Sequence, residues 1–183
     1  IRVPQITWKN MEYLWKQFLG DKELPAVVFL HTLKTLLTEK LKSYYTPTTD
    51  SFVGVCSKFI PSIHKFLGFW NETMVEDDTE YELEIDEVFL LFRKWCEINN
   101  EIMPQLTDKQ MVDLIGYYYP SIEVDRDKFI SKIRCSLWDK QLEIQVTMDN
   151  MKMHLQNDYN SLVSSSARVS SPPIYQNISI YDA

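Results

Sequence analysis

Glycine is scarce in this 183-residue chain: there are four, at positions 20, 54, 68 and 116, against eight prolines. That shortage argues against a turn-rich all-β architecture. Four isolated glycines also cannot build a phosphate-cradling loop or a dinucleotide fingerprint, which excludes an autonomous nucleotide hydrolase in this span. Cysteine is equally sparse. Cys56, Cys96 and Cys135 are odd in number and far apart, which fits reduced thiols in a reducing compartment better than a disulfide framework. No run of 18 or more apolar residues exists, so no transmembrane helix is expected. The opening Ile-Arg-Val-Pro-Gln lacks the charged-then-apolar order of a signal peptide.

What the chain does contain is enough apolar material for a core. It is 45% apolar and 13% aromatic, which disfavours disorder along its whole length. Its net charge of −7 is unevenly divided: residues 1–75 carry nine Lys/Arg against six Asp/Glu, and residues 76–183 ten against twenty. A strongly basic footprint of the kind that holds nucleic acid is absent, so any DNA contact would be local. The absence of an initiator Met at Ile1 and the apolar pattern at 178–183 lead us to expect a piece of a longer polypeptide.

The spacing of apolar residues predicts a mainly α fold: an N-terminal helical bundle, then a helical, winged-helix-like module with a short β-hairpin. Thr7 is placed to cap a first helix with the stripe Met11, Leu14, Trp15, Phe18 and Leu19, closing at Gly20. Pro25 suits the first turn of a second helix running to about Lys42. Residues 51–74 suggest a short helix, a break near 57–60, and a buried helix from Pro61 to about Thr73. Residues 76–84, with six acidic residues in the ten from Val75 to Glu84, are expected to be an acidic linker between a 1–75 subdomain and an 85–157 subdomain.

Beyond that boundary, Val88, Leu91, Phe92, Trp95 and Cys96 stripe a helix from Ile85 to about Asn99, and Thr107–Gln110 is a capping box for another. Residues 122–135 change period. Ile122 and Val124 alternate with polar residues, as do Phe129, Ser131, Ile133 and Cys135, which predicts two short strands about the turn 125–128, with a helix from Asp127 as the rival reading. A last helix is expected from Leu137, capped by Ser136, to about Asn157, followed by a flexible linker at 158–177 and the start of a further element at 178–183.

Few residues invite a chemical role. His31, His64 and His154 lie at no metal-ligand spacing, so neither a metal nor any other cofactor is called for. A Cys56–His64 nucleophilic pair remains formally open but lacks an obvious orienting partner. Asp125 and Asp127 read as a solvated turn, and the run Tyr117–Tyr119 as core or a minor stacking surface. The one candidate nucleic-acid surface is the set Lys128, Lys132, Arg134 and Lys140. On a strand over 129–135, Lys132 and Arg134 share the exposed face, and such cations contact phosphates without reading sequence. A charged wing without a nucleic-acid partner is the competing reading.

Three stretches carry a family resemblance: residues 6–19 (ITWKNMEYLWKQFL), 57–70 (SKFIPSIHKFLGFW) and 82–95 (ELEIDEVFLLFRKW). They resemble regions of large proteins of giant DNA viruses. The third is similar to the helix that opens the C-terminal region of the poxvirus-type primase–helicase family, after its ATPase core. The primase carboxylates and helicase phosphate loop of that family are absent, so no catalytic residue carries over. The resemblance implies a non-catalytic accessory region that serves DNA replication by DNA contact or assembly. Its partners would be DNA, other domains of a parent chain and further copies of itself, inside the host cytoplasm or a viral factory. The alternative is a helical protein-interaction or structural module with no nucleic-acid role.

Overall fold

The structure, a computed structural model, describes residues 3–79 and 81–166. The expected element at 178–183 and most of the expected linker at 158–177 lie outside them. The described residues are 55% helical, with six helices and a few short strands, so the fold is mainly α. In chain order the elements are β1 (Gln5–Thr7), α1 (Trp8–Asp21), α2 (Leu30–Lys40), β2 (Tyr45–Thr46), β3 (Ser51–Val53), α3 (Ile60–Thr73), β4 (Met74–Glu76), β5 (Glu82–Glu84), α4 (Ile85–Ile98), α5 (Asp108–Tyr118), β6 (Phe129–Ser131), β7 (Ile133–Cys135) and α6 (Lys140–Ser165). The chain divides into two compact units, Ile1–Arg134 and Cys135–Ala183.

The first unit is built around α3 and α4. α3 starts one residue before Pro61, whose missing N–H costs nothing in a first turn. It buries Ile63, Phe66, Phe69 and Trp70. α4 is held at its start by a capping box between Glu84 and Glu87, and it buries the expected stripe from Val88 to Cys96. Between these helices the aromatic rings interlock. Phe92 lies 5.5 Å edge-on to Phe66 and 5.2 Å from Phe69, and all three are fully buried. The Trp95 indole N–H donates to Glu72 at 2.8 Å, so the polar edge of that ring is satisfied as well. Met111, Leu114 and Ile115 of α5 complete the core behind the Thr107–Gln110 capping box.

Several local expectations are revised. Residues 51–53 form a strand, not a short helix. β3 lies at the centre of an antiparallel sheet of order β1-β3-β2, with Ile6 opposite Phe52. Asp50 and Gly54 take positive φ on either side of it, bends that end the strand where a helix would have continued. α2 begins at Leu30 rather than Pro25: Phe29 at its start offers no side-chain cap, and the β-branched pair Val27-Val28 precedes it. On α1, Thr7 caps as expected, accepting from the Asn10 N–H at 3.3 Å. The buried residues there are Asn10 and Tyr13, while Phe18 is exposed. The helix is turned toward α5, where Tyr13 meets Tyr117 and Tyr118 at 5.4 and 5.5 Å.

The acidic segment is not simply a solvated spacer. Glu76 closes β4, and β5 is Glu82-Leu83-Glu84 with Leu83 1% exposed. β5 pairs antiparallel with β6 in the register Leu83 opposite Ile130, and β4 pairs with β7. Residues 129–131 and 133–135 are strands, so the alternative of a helix from Asp127 is set aside. The turn at 125–128 is present, marked by a single Val124–Ile130 bridge, but the main strand partners come from 74–84 and not from 122–124.

In the second unit, α6 is capped by Asp139, which accepts from the Leu142 N–H at 3.0 Å, rather than by Ser136. It runs past the expected stop near Asn157 to Ser165 and buries no residue. No described helix is long and apolar enough to cross a membrane.

Candidate nucleic-acid interface

The four candidate cations fall into two groups. Lys128, Lys132 and Arg134 belong to the first unit and Lys140 to the second. Lys128 ends the turn that Asp125 organises. One oxygen of Asp125 accepts from the N–H groups of Asp127 and Phe129, both at 2.9 Å, and Lys128 takes a left-handed φ of 66°. These bonds make Asp125 the organiser of the turn. The Lys128 ammonium donates to Asp108 of α5 at 2.7 Å, and this carboxylate raises its pKa above the ordinary lysine value.

Lys132 joins β6 to β7 with φ 58°. Its N–H donates to the Tyr81 carbonyl at 2.7 Å and its carbonyl accepts from the Asp77 N–H at 2.9 Å. One residue in a left-handed conformation shifts the alternation that follows, as a bulge does. The inward residues are therefore Ile130 before it and Ile133 and Cys135 after it, with Ser131 exposed. The uniform alternation expected over 129–135 fails at this point. Lys132 is exposed within this junction, outside both strands, while Arg134 projects from β7.

Arg134 donates through Nε to Asp77 at 3.0 Å. Asp77 also accepts from the Thr79 hydroxyl at 2.6 Å and the Thr79 N–H at 3.0 Å, and these bonds, with Arg134 contributing less, hold its pKa below the usual carboxylate value. Lys140 opens α6, its ammonium 5.7 Å from the centroid of the Trp138 ring.

The geometry thus brings Lys128, Lys132 and Arg134 onto neighbouring turns and strands, but beside the acidic residues that sequence reading had set apart as a linker. A phosphate approaching Lys128 or Arg134 must compete with Asp108 or Asp77, and with the general negative charge of residues 76–86. The pairing partners were not legible because they lie 20 and 57 residues away in the chain. The excess of acidic residues at 76–84 was the available signal.

Two other candidates are also resolved. Cys56, His64 and Asn10 line one largely apolar cavity of about 490 Å³ beside β1 and the start of α3. The Asn10 amide nitrogen is 3.4 Å from the His64 Nε2, and the Asn10 carbonyl accepts from the Tyr118 hydroxyl at 2.7 Å. The chain Tyr118–Asn10–His64 ties α5, α1 and α3 together. No hydrogen bond joins Cys56 to His64 among the described residues.

The three consecutive tyrosines act as staples. Tyr117 donates to the Lys9 carbonyl at 2.9 Å and Tyr119 to Asn71 at 2.7 Å, and the Tyr119 ring stacks on Trp70 at 5.2 Å. Burial pushes the phenols of Tyr117 and Tyr119 up to about 12, and those of Tyr13 and Tyr118 higher still. Rings engaged in this way are committed to packing rather than to stacking on bases. Among the described residues, no group of three or more His, Cys, Asp or Glu side chains is placed to hold a metal ion.

Compared with known proteins, the chain matches no family profile, no curated protein and no solved structure.

Proposed function

We propose that this chain is a non-catalytic accessory module that works by assembly, within a larger replicative protein of the primase–helicase type that its sequence resembles. The observation that carries the assembly role is a run of exposed large apolar side chains from the end of α1 into α2. Phe18, Leu24, Val27, Phe29, Leu30 and Leu36 are all exposed, Val27 and Phe29 at 80%. So many large apolar side chains within 19 residues exceed the scattered exposure of an ordinary surface and mark a place for another protein surface. The placement in a replicative protein rests on the resemblance alone, and in that setting the chain acts inside the host cytoplasm or a viral factory.

A second reading, DNA contact, is favoured by one observation: exposed Lys132 stands between Lys128 and Arg134 at the β6–β7 junction. Such a contact would be nonspecific and would weaken steeply with salt.

Fluorescence anisotropy of the full chain with forked DNA separates the two. Assembly without DNA contact predicts no saturable binding at 50 mM salt. Binding that is lost on Lys132→Glu and on raising the salt would replace the assembly reading with the DNA one.

A further inference from the structure

α6 is a 26-residue helix with no buried residue, although it carries many apolar side chains. Those side chains are not scattered evenly. Ile144, Met148, Met151, Leu155 and Leu162 recur at alternating steps of four and three, apart from one polar interruption at Asp158, and Gln141 extends the same line toward the N-terminus. This is the heptad spacing of a two-stranded coil, in which a knob every three or four residues meets a partner helix. Leu142, Val146, Met153 and Val163 lie off the line, and there Asp149, Gln156 and Asn160 interrupt the apolar run. The line from Gln141 to Leu162 is therefore the better seam.

From this seam we infer that α6 pairs antiparallel with α6 of a second copy of the chain. The position of the two polar residues decides both the partner and the direction. In an antiparallel pair, setting Met148 opposite Met151 also sets Ile144 opposite Leu155 and Gln141 opposite Asp158. Each polar side chain then meets the other, and the Gln141 amide donates to the Asp158 carboxylate. A parallel pair in register would press Asp158 against its own copy, two carboxylates in one apolar layer, which is strongly unfavourable. The flanking positions agree with the antiparallel choice. Thr147 falls beside His154 and Gln145 beside Lys152, with no like charges opposed. The six layers from Gln141 to Asp158 extend over roughly 26 Å of helix. Two methionine layers and two polar layers make such a seam adaptable rather than tight, which points to a dimer of roughly micromolar affinity.

The inference deepens the assembly reading by naming the partner as a second copy, and it rests on that reading only for its biological meaning. Sedimentation of the full chain across 1–200 µM (about two decades of concentration) should show a monomer–dimer equilibrium. Met151→Asp should raise the dissociation constant at least tenfold and leave the near-ultraviolet circular dichroism of the aromatic core unchanged, because Met151 is exposed. Direction is tested by disulfide trapping in a Cys56→Ser background, which leaves only the buried Cys96 and Cys135. Ile144→Cys and Leu155→Cys chains should cross-link when mixed and little when alone. Self-linking of each variant alone would mean a parallel pair and overturn the inference. A chain that stays monomeric at 200 µM overturns it too, whether another segment of the parent protein or an unrelated partner covers α6. In that case the assembly reading still stands if forked DNA is not bound, whereas salt-sensitive DNA binding lost on Lys132→Glu would sink that reading whatever sedimentation shows.

Discussion

α4 and α6 are both helices with periodic apolar residues, and they differ in what those residues do. α4 has 14 residues and buries six of them. α6 has 26 and buries none. The contrast shows how a helix earns its stability. α4 is fixed by a capping box at one end and by rings packed along its length, so its conformation is over-determined by the fold. α6 has one side-chain cap, at Asp139, and must draw the rest of its stability from its own backbone or from a partner, because isolated helices gain little from propensity alone. The first is a packing element and the second a surface waiting to be covered.

The sharpest way to break this comparison is to truncate matched side chains. Phe92→Ala, which removes a ring in contact with Phe66, Phe69 and Trp95, should cost about 3–5 kcal/mol in chemical denaturation. Leu155→Ala on α6, measured well below the dimer concentration, should cost no more than about 0.5 kcal/mol. Equal losses would mean that α6 is buried within the chain. Next in size, Tyr118→Phe removes the hydroxyl that donates to Asn10. It should destabilise the first unit by about 1–2 kcal/mol, because the Asn10 carbonyl loses its partner in a largely buried place. Denaturation of the variant beside Tyr117→Phe, whose hydroxyl donates to the exposed Lys9 carbonyl, would show the smaller loss for the latter.

Smaller effects probe the β6–β7 junction. Lys132→Gly should leave stability unchanged or raise it by up to about 1 kcal/mol, since glycine takes a left-handed φ without steric cost. A clear loss in thermal denaturation would show that the lysine side chain, not the backbone turn, is what matters there. The weakest expected effect is in pH. The pKa of Asp77 is depressed in the folded state, chiefly by its bonds from Thr79. Its contribution is therefore fully present above the ordinary carboxylate pKa of about 4 and is lost as the pH falls through the lower, folded-state value. Asp77→Asn should flatten that acid limb of a stability–pH curve and lower the neutral-to-alkaline limb evenly, without changing its slope.

What could be read from the sequence follows from how local each signal is. α4 and α5 were legible to within a residue or two because cap and stripe lie within one helix, as at Thr107–Gln110. The strands were not, or only in part. Each is two or three residues long, and β5 and β6 find one another across more than 40 residues, so Leu83 looked like part of an acidic spacer until Ile130 covered it. The stripe on α1 was a fair pattern with the wrong outcome. Met11, Leu14 and Trp15 end only half-buried because Tyr117 and Tyr118 claim the side carrying Asn10 and Tyr13. The candidate cations were visible as a basic cluster, but their worth depends on Asp108 and Asp77, and no spacing rule links those residues. The switch in alternation at Lys132 was likewise hidden, since a lysine gives no sign that its φ will be positive.

Hydrogen exchange of the full chain at two concentrations tests the central contrast most directly. If α6 is a surface covered by a second copy, its amides over 140–165 should exchange within seconds at 0.5 µM (about tenfold below the expected dimer concentration) and slow markedly at roughly 100 µM. Amides of α3, α4 and α5 should stay protected at both. Equal protection of α6 at both concentrations would mean that it is covered from within its own chain, and the division of the molecule into a packed unit and an open helix would be contradicted.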